Sequence, residues 1–362
     1  MKFAIACGGT GGHLFPGLAV AEVLREKGHE ILLFVSEKAV DARALRGHPD
    51  LRAVRLPSIG LPPLLSPAIF TFFRRLVASL RQCGAVYRAD RPDAVLGMGG
   101  FTSLAPLMAA RWLGIPAFLH ESNAIPGKAN RLAARFCREV LLGFGVCAPH
   151  FADRPTQVTG TPIRRELAAN VPTPTEARRK LGLAPDRRTI LAMGGSQGAT
   201  GINTLMAEAA AGLSAAELQV VHLAGESGVE TVRAAYAAAE LPAVVLPFCD
   251  AMQEIYPSAD LAVSRSGASS LGELSWFGLP SVLVPYPYAA ENHQQLNAEI
   301  FRTAGAAKVL TEKDASGERL AGLLQSLLAS PESLSKMAAA ARGLAPRDAA
   351  ERVAAVLEGV KK

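Results

Sequence analysis

Two glycine-rich turns and a few titratable side chains carry most of the chemistry open to this chain of 362 residues. The first turn, Gly8-Gly9-Thr10-Gly11-Gly12-His13, follows the apolar run Lys2–Cys7. The second, Gly194-Gly195-Ser196-Gln197-Gly198-Ala199, follows Thr189–Met193. Each reads as strand, turn, helix. Glycine lets backbone N–H groups approach an anion closely, and a helix start adds about half a positive charge. Either turn therefore suits a phosphate; the plain alternative is a tight turn that only packs helix on strand. His13 ends the first turn, and an imidazole can accept a proton near neutral pH. His120 and Glu121 end another apolar run and are secondary candidates, with a satisfied buried histidine as the alternative for His120.

Several chemistries fit poorly. From Gly9 the first turn places Leu14 where a dinucleotide fingerprint needs its third small residue, and no Gly-Lys-Ser/Thr follows either turn. No two aspartates are spaced two apart, so a D-x-D metal pair is missing, and no metal or other cofactor is expected. Five cysteines without a C-x-x-C pair argue against a disulfide framework or structural zinc. The opening Met1–Gly8 has too few apolar residues before Cys7 for a secretion signal, and a buried first strand is expected instead.

The elements that would position these residues repeat along the chain. Seven short apolar runs lie between Lys2 and Val158, and six more between Thr189 and Val309, separated by helical stretches such as Leu14–Lys27 and Thr102–Leu113. Runs apolar on both faces suit parallel sheets covered by helices. Two tandem Rossmann-like α/β domains follow, residues 1–160 and 161–339, with an Ala-rich helix at about 340–362 packing back on the first. Pro162, Pro172 and Pro174 mark the link. A ligand is expected in a cleft between the domains, beyond the carboxyl ends of the strands. Residues 1–160 carry a net charge of +8 and the remainder −2. A basic first domain favours phosphates or an anionic bilayer surface.

The ordered set Gly8-Gly9-Thr10-Gly11-Gly12-His13-x-x-Pro16, Gly97-x-Gly99-Gly100-Phe101, His120-Glu121-x-Asn123, Gly194–Ala199, Arg265-Ser266-Gly267-Ala268 and Gln294-Gln295-x-Asn297-Ala298 resembles the MurG family, the bacterial N-acetylglucosamine transferases of peptidoglycan synthesis. The resemblance spans Gly8 to about Ala307. It implies a glycosyltransferase-B fold and transfer of GlcNAc from UDP-GlcNAc to undecaprenyl-pyrophosphoryl-MurNAc-pentapeptide (lipid I), giving lipid II. The donor sugar is α-linked and the product β(1→4)-linked, which implies one inverting displacement. It further implies that Ser196 and Arg164 meet the donor diphosphate. Ala268, Ser269, Ser270, Leu271, Gly272 and Glu273 would wrap the nucleoside, with Glu273 on the ribose. The backbone at Cys249 would read uracil, and Gln294 and Gln295 would hold the sugar. Thr10, Gly11, Gly12 and Asn123 would line the acceptor side, with His13 as base or as a positioning group and Glu121 as a weaker catalytic candidate. Cys249, Ser269, Ser270, Thr161 and Ser122 depart from the usual residues.

The implied partners are the two substrates, an anionic cytoplasmic leaflet and cell-wall or division enzymes, with no nucleic acid. The implied location is the cytoplasmic face of the bacterial inner membrane. A surface helix at Leu61–Leu80 would make the contact, through Leu64, Leu65, Ile69, Phe72, Phe73 and Leu76 beside Arg74 and Arg75, with Trp112 as a further member. An ordinary core-facing helix is the alternative. The rival functions are another UDP-sugar enzyme (a lipid glucosyltransferase or UDP-GlcNAc epimerase), a non-catalytic UDP-sugar-binding protein and, more distantly, a nicotinamide oxidoreductase.

Overall fold

The computed structural model describes residues 1–57, 59–63, 66–194 and 200–361. They form two compact units, Met1–Arg164 with Pro346–Lys362, and Arg165–Ala345. The division falls four residues beyond the expected one, and the returning tail starts at Pro346 rather than near 340.

In the first unit seven strands form one parallel sheet. They are β1 (Lys2–Ala6), β2 (Glu30–Ser36), β3 (Arg52–Leu56), β4 (Ala94–Gly97), β5 (Ala117–Glu121), β6 (Glu139–Leu142) and β7 (Thr156–Val158), in the order β3-β2-β1-β4-β5-β6-β7. The central strands β1, β4 and β5 are buried along nearly their whole length. Side chains on both faces of these strands are covered by helices, and this is why the runs are continuously apolar. The order reverses direction beside β1, which leads into the first glycine turn. Its neighbour β4 leads into the helix Gly100–Trp112. Such a reversal point is where open α/β sheets gather ligands. The tail helix Ala349–Glu358 shares a core with the helix Gly11–Glu26, through Val353, Ala354 and Leu357 against Leu14, Leu18 and Leu24. Glu358 pins it at the far end, bonded to Lys27 Nζ at 2.7 Å and His29 Nε2 at 2.8 Å.

In the second unit six strands form another parallel sheet. They are β8 (Arg188–Met193), β9 (Leu218–Leu223), β10 (Ala243–Leu246), β11 (Leu261–Ser264), β12 (Ser281–Leu283) and β13 (Ala307–Val309), in the order β10-β9-β8-β11-β12-β13. Here β8 leads into the second glycine turn and β11 into the helix Ala268–Phe277. In this sheet β8 and β11 thus hold the places that β1 and β4 hold in the other. Among the described residues no helix is long and apolar enough to cross a membrane.

Candidate active site

The first site is built where β1, β4 and β5 end. Thr10 is the N-cap of the helix Gly11–Glu26, yet its side chain makes no capping bond. Its Oγ1 instead lies 3.2 Å from His13 Nδ1. The imidazole lies against the turn after β4. A Cβ on Gly99 would stand 3.1 Å from His13 Cδ2 and Nε2, and one on Gly100 3.1 Å from its Cε1 and Nδ1. Both residues have positive φ, +105° and +71°. Glycine is needed here on two counts: it permits the backbone turn and leaves room for the ring.

Glu121 closes this site from below. Its Oε1 accepts from the Asn123 backbone N–H and side-chain amide, each at 2.9 Å, and its Oε2 accepts from Asn130 Nδ2 at 2.7 Å. Asn130 Oδ1 in turn accepts from Gly100 N–H at 3.1 Å. Burial pushes the Glu121 carboxyl above the usual carboxylate range, while the N–H bonds from Asn123 and Asn130 pull the other way. His120 is fully buried, donates from Nε2 to the Gly160 carbonyl at 2.9 Å and accepts at Nδ1 from Ser122. Burial lowers its pKa to about 4, with the Gly160 bond acting in the opposite direction. It is a satisfied neutral histidine. The Arg164 guanidinium lies over the Phe15 ring, 4.6 Å from its centroid.

In the second unit, the turn residue Ser196 lies outside the described residues. The other named positions gather at the ends of β10, β11 and β12. Gly267 precedes the helix Ala268–Phe277 without a side-chain cap, so the first N–H groups of that helix receive no bond from it. Ala268, Leu271, Gly272 and Glu273 are buried, Ser269 and Ser270 half-buried. The buried Tyr256 hydroxyl donates to Glu273 Oε2, which fixes this carboxylate in the second turn of the helix. Cys249 is half-buried in the loop after β10.

Gln294 and Gln295 open the helix His293–Thr303 behind two residues in the left-handed region, Glu291 (φ 53°) and Asn292 (φ 54°). Gln294 is anchored twice: its Oε1 accepts from Tyr286 N–H at 3.0 Å and its carbonyl from Ser266 Oγ at 2.7 Å. Asn297 Nδ2 donates to the Ser266 carbonyl at 3.0 Å, tying the same helix to the turn after β11. Arg265 is turned inward, ion-paired with Glu312 and donating to the Val284 carbonyl at 3.0 Å.

Residues 3–142 match the glycosyltransferase family 28 N-terminal domain and residues 189–353 its C-terminal domain. A UDP-N-acetylglucosamine–N-acetylmuramyl-(pentapeptide) pyrophosphoryl-undecaprenol N-acetylglucosamine transferase of Geobacter sulfurreducens is 38% identical over 98% of this chain and 97% of its own. The enzyme of the same description from Halorhodospira halophila is 39% identical over 99% and 98%. The chain belongs to this transferase family. The crystal structure of Acinetobacter baumannii MurG matches with a TM-score of 0.77 at 27% identity, covering 99% of each chain. The calicheamicin glycosyltransferase, at 15% identity and a TM-score of 0.68, shares the fold alone. The two parallel-sheet domains are those of the glycosyltransferase-B fold.

Within this transferase frame the structure gathers Thr10, Gly11, Gly12, His13, Glu121 and Asn123 in the first unit, and Cys249, Ala268–Glu273, Gln294 and Gln295 in the second. Sequence reasoning missed Asp41, Asn130 and Tyr256. None belongs to a motif, and each has a partner across a long stretch of chain, Gly9 for Asp41, Gly100 for Asn130 and Glu273 for Tyr256, so local spacing carried no signal for them. The surface helix is corrected. On Ala68–Ala89, Phe72 is buried against Phe101, with ring centroids 5.6 Å apart, and Leu76 packs on the same core. The outward apolar side chains are Phe70, Phe73 and Val77, at 78%, 55% and 44% exposure. Arg74 is exposed beside them and Arg75 half-buried; Ile69 is half-buried, and Leu64 and Leu65 lie outside the described residues. Trp112 is exposed but lies 11 residues beyond Phe101, about 16 Å along the helix axis.

Proposed function

We propose that this protein transfers GlcNAc from UDP-GlcNAc to the MurNAc C4 hydroxyl of lipid I, giving lipid II. The identity of 37–41% to transferases of that description, over about 98% of the chain, carries the reading. The second domain supplies the donor site. Glu273, held by Tyr256, accepts from the ribose hydroxyls, and Gln294 and Gln295 bond the sugar. Ser196 and Arg164 attend the diphosphate as it gains negative charge. The first domain supplies the acceptor side. His13 takes the proton of the attacking hydroxyl as the anomeric carbon inverts and UDP leaves. Glu121 is a positioning residue here: its oxygens are spent on Asn123 and Asn130, and Asn130 holds the Gly100 peptide against the His13 ring. No metal is assigned a step.

We further propose that the protein works at an anionic membrane surface. Phe70, Phe73 and Val77, with Arg74 exposed beside them, form its contact, next to the site through Phe72 and Phe101.

The deciding experiment is transfer of radiolabelled GlcNAc to a short-chain lipid I analogue in EDTA. Wild type should transfer, and His13→Ala should lose about 100-fold or more in kcat. Transfer that survives in His13→Ala reduces His13 to positioning. No transfer by wild type, with or without Mg²⁺, refutes the assignment and makes the epimerase reading the next to test.

A further inference from the structure

A closed ring of hydrogen bonds grips the first glycine turn, and its members have no role in the reading above. Ser36 ends β2, and Lys38 and Asp41 follow it, Asp41 on the short helix Ala39–Leu45. Lys38 N–H donates to Ser36 Oγ at 3.2 Å, and Ser36 Oγ donates to Asp41 Oδ2 at 2.6 Å. Gly9 N–H donates to the same carboxylate oxygen at 2.9 Å, and the Lys38 ammonium closes the ring on the Gly9 carbonyl at 2.9 Å. The turn is pressed hard onto β2: a Cβ on Gly8 would lie 2.3 Å from Ser36 N and 2.6 Å from Asp41 Oδ2. The Gly9 peptide is thus held at both its N–H and its carbonyl. That fixes the peptide leading into the start of the helix Gly11–Glu26.

The two charges sit differently. Asp41 is fully buried and Lys38 exposed. A buried carboxylate beneath a turn meant for an anion is electrostatically adverse. It is tolerated where a cation stands on the same peptide, as the exposed Lys38 ammonium does on the Gly9 carbonyl. We propose that Lys38 is the counter-charge this domain offers to the pyrophosphate of the lipid acceptor, and that Asp41 is the positioning residue that sets both the turn and the lysine. The inference deepens the acceptor half of the proposed reaction and rests on it.

Inorganic pyrophosphate is the probe, titrated by calorimetry with saturating UDP present to occupy the second domain. Lys38→Met should weaken pyrophosphate binding about tenfold, Lys38→Arg should restore it to within about threefold, and the difference should shrink in 0.5 M salt. In the transfer assay Lys38→Met should raise KM for the acceptor by the same factor, leaving kcat and KM for UDP-GlcNAc unchanged. Asp41→Asn should raise the acceptor KM as well. A merely structural Asp41 would lower stability without splitting the two KM values. Equal pyrophosphate affinity in wild type and Lys38→Met overturns the proposal, as does no binding to either. A wild type that binds pyrophosphate through Lys38 yet transfers nothing refutes the reaction and leaves the anion site standing.

Discussion

Gly99→Ala tests whether the turn after β4 sets the His13 ring, the proposed base. The residue sits at φ 105°, ψ 176°, a region essentially reserved for glycine. Forcing an alanine there costs about 1–3 kcal/mol in backbone strain alone. The added methyl would stand 2.9 Å from Asn130 Nδ2 and 3.1 Å from His13 Cδ2 and Nε2, so both side chains must give way. For a domain of this size a loss of about 2 kcal/mol lowers Tm by about 4–8 °C. Misplacement of a reacting group by about 1 Å costs about 100-fold in rate, and the shift needed here is a few tenths of an ångström together with loss of the Asn130–Gly100 bond. The expected fall in kcat is therefore about 10- to 100-fold. Gly28→Ala is the control. It also has positive φ, 82°, but nothing lies within 4 Å of its added methyl, and it follows the far end of the helix Gly11–Glu26. It should lose about 1–2 kcal/mol of stability with kcat intact. Thermal melts and initial rates, measured for both variants well below Tm, separate strain from chemistry. A Gly99→Ala enzyme that is destabilised but transfers at the wild-type rate refutes the claim that this turn positions His13.

Tyr256→Phe removes the bond to Glu273 while keeping the ring stacked on Phe277, 4.9 Å between centroids. KM for UDP-GlcNAc should rise about 5- to 10-fold with the acceptor KM unchanged; an unchanged donor KM contradicts the ribose role of Glu273. Acid sensitivity should follow from His120 and His222, both driven down to about 4 by burial from a usual 6.5. Each is bound neutral in the fold, so its stabilisation is present above pH 6.5 and is lost as pH falls toward 4. Denaturant unfolding at pH 7 and pH 5 should differ by about 2 kcal/mol for each histidine. A His222→Gln variant as pH-sensitive as wild type would show that His222 contributes nothing to that slope. Phe73→Glu should weaken binding to phosphatidylglycerol vesicles about tenfold or more and leave turnover of a soluble acceptor unchanged, whereas Phe72→Ala should cost about 3–5 kcal/mol of stability. Vesicle binding unaltered by Phe73→Glu ends the membrane reading.

Local pattern was enough for the strands and turns. The central strands, covered on both faces, need side chains apolar on both and were visible as continuous apolar runs, whereas edge strands such as Arg52–Leu56 and Thr156–Val158 carry polar residues and showed only as short runs between turn signals. The glycine turns, His13, Glu121 and the paired glutamines were visible because their spacing is local. The family itself could be read from the order of these motifs. Other features depended on chain segments distant in sequence. Periodicity showed that Ala68–Ala89 has an apolar side, but Phe72 is buried and Phe73 exposed because Phe101, from another helix, covers only one of them. His120 and His13 are the same residue type near strand ends. Burial beneath Gly160 makes the first a neutral structural group, and the glycine turn after β4 holds the second at the surface. Asp41, Asn130 and Tyr256 acquire meaning through Gly9, Gly100 and Glu273, which lie 32, 30 and 17 residues away. Hydrogen bonds of that kind leave no spacing in the sequence, because it is the packing of the sheet that brings their ends together.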